Sequence, residues 1–519
     1  MRRRGSRYAV VPMVLALLAA SCGKDRESSS STAAPTTAAV TTTAATAAPT
    51  TEAGAGDTTP TSESAATDTT VESDTTVADT EAPDTTTAPT DTTAPDVPMF
   101  GDAPWPCGPG DGSNTDDGST PGVTKDSIRI AGGDDAGYSG APGLNREMSD
   151  ALRAMVAECN DLGGINGRQI TWDYYDAALF NVATAMQQAC DSGAFFLVGE
   201  GWAFDVQQEE TRLACGLPAV PAYAVSAAFA HGKDVFPPTP GPSDEVTAGM
   251  YAQMAELFPD AVKKAAALVG AFPATQESRD KAVIASKQFG WDWVSTTIEY
   301  NPVGEADWTP FVKQIQDSGA TILYWSGTCL PNLQLFMQSA QANGLDIPVL
   351  TEANHYSAEC AAANTDGAMD NLYLRMSSVP FEEADTTPAM QDYLDLIKER
   401  GGEISQLGST AASSFLLWAT AASECGASLT RECTIENLKA IHDWTGHGIY
   451  QETDPGANHP TACTAILKLH GNGYERVTPT ERGTFECNPD WIAKIDSTPA
   501  LDAAKLDANR ISQQFATGG

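Results

Sequence analysis

Positive charge is scarce in this 519-residue chain: 30 Lys and Arg stand against 68 Asp and Glu, a formal net charge of −38. A surface so acidic repels other polyanions at long range, which excludes binding to nucleic acid by charge. Histidine is scarce too, and the six present (His231, His355, His442, His447, His459 and His470) form no HExxH and no zinc-type spacing. No CxxC pair, GxSxG elbow or P-loop occurs, so no metal, no cofactor and no catalytic function are expected. No run reaches the roughly 18 apolar residues that a membrane span needs. Residues 27–97 contain no aromatic residue, Leu or Ile. Such a tract cannot bury enough apolar surface to offset the entropy of ordering it.

What is present begins with a leader. Met1–Arg7 carries four arginines, and Tyr8–Ala20 is an apolar run too short to cross a bilayer comfortably but suited to an export signal. It ends Leu18-Ala19-Ala20-Ser21-Cys22-Gly23, which resembles a bacterial lipobox and implies that Cys22 is diacylated. Setting Cys22 aside leaves ten of the eleven cysteines, an even number in an exported chain, where structural disulfides persist. Proximity favours pairing Cys425 with Cys433 across a Gly-containing turn, and Cys463 with Cys487 at the flanks of a hairpin. The expected organisation is a signal peptide over 1–22, a disordered Thr/Ala/Pro-rich linker over 23–100, a first lobe over 101–250 and a second over 251–380. Residues 381–519 are expected to return to both lobes. About 400 residues remain after leader and linker, beyond the ~250–300 at which one core divides into two.

From Ile128 onward, strand-like and helix-like patterns alternate. Strands are expected over Ile128–Gly133, Ile170–Asp176, Phe195–Gly199 and Pro218–Val225, with helices over Met148–Asn160, Val182–Cys190 and Val206–Cys215. The breaker Phe236-Pro-Pro-Thr-Pro-Gly-Pro242 follows, and the pattern restarts. Its strands are Ala265–Gly270, Val294–Tyr300, Thr321–Trp325 and Pro348–Leu350, with helices over Ser278–Phe289, Trp308–Ser318 and Leu333–Asn343. Two helices, Pro388–Arg400 and Ser409–Cys425, and a strand pair around Thr464–Val477 complete the chain. The fold class is therefore α/β, with two parallel-sheet lobes.

Asn160-Asp-Leu-Gly-Gly-Ile-Asn-Gly-Arg168 with Tyr174-Tyr-Asp176 resembles the signature of type I periplasmic binding proteins of the branched-chain amino acid and amide class. Gly122–Ile130, Ala306–Trp308, Ser318–Leu323, Asn343–Val349 and Gly446–Tyr450 resemble further stretches of that family, over about residues 120–480. The resemblance implies two doubly wound lobes joined by three hinge crossings, with a ligand held between them. Open parallel sheets bind at the carboxyl ends of their strands, where strand order reverses, which points to the same place. Gly163, Gly164 and Gly167 read as a tight helix-to-strand connection needing φ > 0, a structural marker rather than a contact.

The resemblance also implies site positions. Where the family loop carries Ser-Ser to hold a ligand carboxylate, this chain has Trp202 and Ala203, with Phe204 beside them; where the family has a Thr, it has Val225, with Tyr223 nearby. In the second lobe Thr275 stands at a family tyrosine, and Tyr324-Trp325-Ser326-Gly327-Thr328-Cys329 replaces a second Tyr-containing loop. Glu352 is the nearest carboxylate for a ligand ammonium, and Tyr138 closes one side. Backbone donors are expected to remain while several side-chain partners are lost. The aromatic replacements suit a flatter, less charged or cationic ligand over an ordinary branched-chain amino acid. Cys329 and Cys360 both follow second-lobe strands, so a disulfide there would stiffen that side of the cleft.

The expected function is a lipid-anchored, extracytoplasmic solute-binding protein that passes an amino acid, amide or aromatic-type solute to an ABC permease. Its partners are then a small molecule, that permease and the membrane holding the N-terminal lipid. A sensor of the same fold and an interaction protein that has lost its ligand stay open as alternatives.

Overall fold

The computed structural model describes residues 97–516, Asp117 excepted. The leader, Cys22 and nearly all of the linker lie outside the described residues. The linker was expected to run to residue 100, but Met99–Phe100 already pairs with Ala103–Pro104, and Phe100 is buried against Trp105. An aromatic side chain removed from water fixes the start of the fold at or before Met99.

Two sheets organise the described chain. The first contains β1 (Ser127–Gly132), β2 (Gln169–Tyr174), β3 (Leu197–Val198) and β4 (Ala219–Val220), all parallel, in the order β2-β1-β3-β4. The second contains β5 (Ala265–Gly270), β6 (Trp293–Tyr300), β7 (Ile322–Ser326), β8 (Val349–Thr351), β9 (Leu372–Met376), β10 (Cys463–His470) and β11 (Gly473–Thr478). Its order is β11-β10-β9-β8-β7-β5-β6; β10 alone runs against the others, pairing antiparallel with both β9 and β11, and the remaining pairs are parallel. Every residue of β5 and of β7 is buried, as parallel strands covered on both faces require.

The strands end where the sequence stops supplying donors. The expected strand Pro218–Val225 contracts to β4 because Pro221 has no N–H for the ladder, and the chain then turns to the short helix Ala227–Ala230. The helix Arg146–Asp161 lays Met148, Ala151, Leu152, Met155 and Cys159 into the first core. Against it packs the long helix Gln406–Ser423, capped by the Ser405 hydroxyl, which accepts from Gly408 N at 2.9 Å. It begins three residues earlier than expected because that cap, and not its apolar stripe, sets its start.

Three crossings join the two sheets, and they are bonded to one another. Val379 N donates to Ile449 O at 2.9 Å and Gln451 N to Ser377 O at 2.8 Å, which binds the second crossing to the third. The Thr453 hydroxyl donates to Pro238 O and the Thr247 hydroxyl to Thr461 O, both at 2.8 Å, which binds the third to the first. The C-terminal strand Ile492–Lys494 then pairs with Glu245–Thr247.

The Gly-rich signature turn is a staple. Gly163, Gly164 and Gly167 have φ of 115°, 80° and 83°, and a Cβ on Gly163 would lie 2.7 Å from Pro109 N. The turn ends on Arg168, fully buried, whose guanidinium donates to the carbonyls of Thr124, Thr115, Gly426 and Ala427. It ties the segment before β1 to the loop after the long helix. Disulfides join Cys107–Cys159, Cys190–Cys215, Cys329–Cys360, Cys425–Cys433 and Cys463–Cys487; the last three are the pairs expected from the sequence. Arg168→Met strips four carbonyls of a buried donor, and we expect a loss of about 2–4 kcal/mol in urea unfolding, whereas the same change at the exposed Arg482 should leave the unfolding midpoint nearly unmoved.

Candidate functional site

Strand order reverses between β1 and β3 in the first sheet and between β5 and β7 in the second. The loops leaving those four strands face a common cavity of about 860 Å³ between the sheets. Tyr138, Ala203 and Phe204 come from the first pair of loops; Phe272, Thr275, Ser326 and Thr328 come from the second. Tyr223 and Val225, beyond β4, and Glu352 and Arg375, from β8 and β9, complete much of the wall. The volume lies within the few-hundred to 1,000 Å³ range of small-molecule sites.

Eight of the ten candidate ligand residues thus meet on one wall: Tyr138, Ala203, Phe204, Tyr223, Val225, Thr275, Thr328 and Glu352. Trp202 and Trp325 do not, which corrects their expected place. Trp202 is fully buried in the first-lobe core, its indole N–H donating to Tyr175 O at 3.3 Å. Trp325 stacks on Tyr300 and Phe336 inside the second core, ring centroids 4.8 and 5.5 Å apart. Trp325 belongs to a strand buried along its whole length, and Trp202, in the loop after β3, folds back onto the first-lobe core, so each indole finds apolar surroundings away from the cleft.

Aromatic rings run across the cavity from lobe to lobe. Tyr138 meets Phe180 at 5.7 Å, Phe180 meets Phe204 at 5.7 Å, and Phe204 meets Phe272 of the second lobe at 5.6 Å. Cys329–Cys360 borders the cavity on the second-lobe side.

The polar groups are arranged otherwise than expected. The backbone donors of the first-lobe loops are taken by the protein's own carboxylates. Asp135 accepts from Ala203 N at 2.7 Å and Leu179 N at 2.8 Å; Asp205 accepts from Val225 N at 2.7 Å and Ser226 N at 3.0 Å. Burial pushes both Asp135 and Asp205 up to about 6, against these stabilising bonds. The expectation that these N–H groups stay open is corrected. The Thr275 hydroxyl is used internally, donating toward Gly270 O and Phe272 O, and Thr328 accepts from the Asn332 amide at 3.1 Å.

Glu352 is likewise engaged. The parallel register pairs Thr351 with Leu374, which sets Glu352 beside Arg375, and the Arg375 guanidinium donates to its carboxylate at 3.0 Å. Tyr324 adds a hydroxyl at 3.3 Å.

Sequence reasoning missed Asp135 and Asp205, whose type says nothing of which N–H they reach. It missed Arg375 inside an apolar strand. It also missed Glu147, the second residue of the helix Arg146–Asp161, which lines the cavity. Burial, with repulsion from Glu403, Asp134 and Glu359, pushes Glu147 up to about 7. Among the described residues no group of three or more His, Cys, Asp or Glu is placed to hold a metal ion.

The model of a family described as "Periplasmic binding protein" matches residues 133–474. No curated protein matches. Among solved structures, a fatty acid ABC transporter substrate-binding protein from Thermomonospora curvata superposes with a TM-score of 0.58 at 16% identity, covering 69% of this chain and 93% of its own. The branched-chain amino acid transporter substrate-binding protein of Streptococcus pneumoniae, in complex with isoleucine, gives 0.56 at 17%, covering 68% and 100%. A solute-binding protein of R. palustris in complex with 4-hydroxybenzoate gives 0.57 at 15%, covering 70% and 99%. At these identities the likeness is one of fold.

The two sealed loops make a stability prediction. Asp205→Ala leaves two buried N–H groups without an acceptor, with an expected cost of about 2–4 kcal/mol in urea unfolding, whereas Asp205→Asn, which keeps an oxygen there, should lose less. Because Asp135 and Asp205 are raised to about 6 in the folded chain, their support for folding is greatest below the ordinary carboxylate range near 4 and fades as pH climbs through 6. Asp205→Asn should flatten that decline.

Proposed function

Because this chain belongs to the periplasmic binding protein family, a family of extracytoplasmic, non-enzymatic solute-binding proteins, we propose that it is a lipid-anchored receptor that captures a small organic solute and delivers it to an ABC permease. One observation carries this: the four loops at the two points of strand reversal meet on a single cavity between the sheets. The cavity draws its wall from both lobes, so a solute filling it touches both. Closure is then favoured by the contacts that exist only when the lobes approach, with the three crossings as the hinge.

The lipid anchor rests on the arginine-rich leader and on Cys22 after Leu18-Ala-Ala-Ser21. The tract from residue 23 to just before Met99 supplies reach from the membrane to the folded lobes, roughly 45–50 Å as a flexible coil. The lobe boundaries near 250 and 380 fall close to the first two crossings, which supports the division into segments over 101–250, 251–380 and 381–519. Proteins of this fold in complex with isoleucine and with 4-hydroxybenzoate support an amino acid, amide or aromatic-type solute of modest size, and the aromatic wall favours the last.

Mass spectrometry of solute released from protein purified from its native host tests this reading. It predicts a co-purifying small molecule that, added back at 100 times its Kd, stabilises the protein by about 2.7 kcal/mol. Phe204→Ala should weaken that solute at least tenfold while leaving the melting temperature of the solute-free protein within a few degrees. Absence of any stabilising solute, or affinity untouched by Phe204→Ala, would contradict it.

A further inference from the structure

Several of the groups that would hold an anion in the cavity are already engaged. On the first lobe the N–H groups of Ala203, Val225 and Ser226 are bonded to Asp135 and Asp205. The cationic side chains on the wall are engaged or peripheral: Arg375 lies on Glu352, Lys281 is held near Glu277 and the Pro242 carbonyl, and Arg146 is exposed. Several polar lining groups are left over, three of them beside the aromatic wall or the first-lobe helix. The Tyr138 phenol and the Ser326 hydroxyl, on residues 8% and 7% exposed, have no hydrogen-bond partner among the described residues. The Glu147 carboxyl accepts from no other side chain.

We propose that the cavity takes a solute with a cationic head, an amine or a quaternary ammonium on an aromatic or apolar body, seated between the Glu147 carboxylate and the aromatic wall of Tyr138, Phe204, Tyr223 and Phe272. This names the solute class of the reading above and rests on that reading. A carboxylate head would meet Glu147 and find the N–H groups of Ala203, Val225 and Ser226 already bonded, a desolvated charge poorly partnered on that lobe. A cation meets the negative faces of the rings and a carboxylate in need of a counter-charge. The free phenol and hydroxyl supply acceptors for an N–H head and for polar points on the body.

The charge pattern also couples the head to closure. Glu147, Glu403 and Asp134 belong to the first lobe, and Glu359 follows β8 in the second. Bringing the lobes together brings these like charges together, at a cost that a cation between them removes. Binding and closure are thereby linked through the same groups.

Calorimetric titration and thermal shift of the full chain with benzyltrimethylammonium, phenethylamine, 3-phenylpropionate, L-phenylalanine and glucose test this. The two cationic probes should bind and raise the melting temperature, with phenylpropionate and glucose silent and phenylalanine weaker. Glu147→Gln, which breaks no side-chain bond, should weaken the cationic probes at least tenfold without lowering the melting temperature of the probe-free protein. Since Glu147 loses its proton near 7, cation affinity should rise about tenfold from pH 6 to pH 8. Glu403, Glu359 and Asp134 face the same group, and Arg146 faces Glu403, so the slope should flatten in Glu147→Gln if Glu147 sets it. Binding of phenylpropionate or glucose with the cations silent would overturn the inference and leave solute capture standing. Cation binding unchanged in Glu147→Gln would overturn it too, as would silence of all five probes, whereas solute capture is judged by the co-purified molecule.

Discussion

Three crossings of the chain, hydrogen-bonded to one another, are the constraint on which the rest of this protein depends. A parallel sheet must be wound with its helices on both faces, so its strands all release their loops at one end. Two such sheets in one chain, tied at three points, have little freedom except to turn those loop ends toward or away from each other. The cavity is a consequence of that topology before any particular side chain is considered. The staple at Arg168 and the disulfide Cys107–Cys159 lie at the opposite ends of β1 and β2 from these loops and brace the first lobe.

Within that frame the site is defined by what its own carboxylates have taken. Asp135 and Asp205 hold the strand-end loops in shape by accepting their N–H groups, and the same bonds remove those donors from use by a ligand. Arg375 does the corresponding thing to Glu352. A site that spends its charge complementarity on itself selects its solute through the aromatic faces and the few polar atoms left over. Burial raises all three acids: Glu147, which accepts from no other side chain, to about 7, and Asp135 and Asp205, whose bonded N–H groups oppose the rise, to about 6.

The sheets were legible because their strands are short apolar runs bounded by glycine and proline: β5 matches its expected limits, and β1, β2, β6 and β7 fall within about two residues of theirs. The helix Pro388–Arg400 was legible for the same reason, opening on a proline and closing before Gly401. The site was legible at the level of loops, because strand ends at a reversal point are where any such ligand must lie. Which side chain of a loop turns into the cavity was not. Trp325 lies in a strand apolar on both faces, where a sequence offers no polarity signal to separate core from cleft, and Trp202 lies in a loop whose backbone path no local pattern encodes. Glu147 escaped because helix periodicity marks the buried stripe beginning at Met148 and is silent on the first turn. The hydrogen bonds that seal the donors join residues 20 and 68 positions apart in the chain, which no local pattern encodes.

The account stands on two lobes that shut upon a solute held between them. The most direct measurement is the distance between spin labels on the exposed Lys398 of the first lobe and the exposed Gln341 of the second, recorded by pulsed electron resonance with and without the solute that co-purifies. The account predicts a broad distribution without it that shifts and narrows as the solute saturates, with the midpoint of the shift at the solute's Kd. A distribution that stays the same at saturation would contradict it.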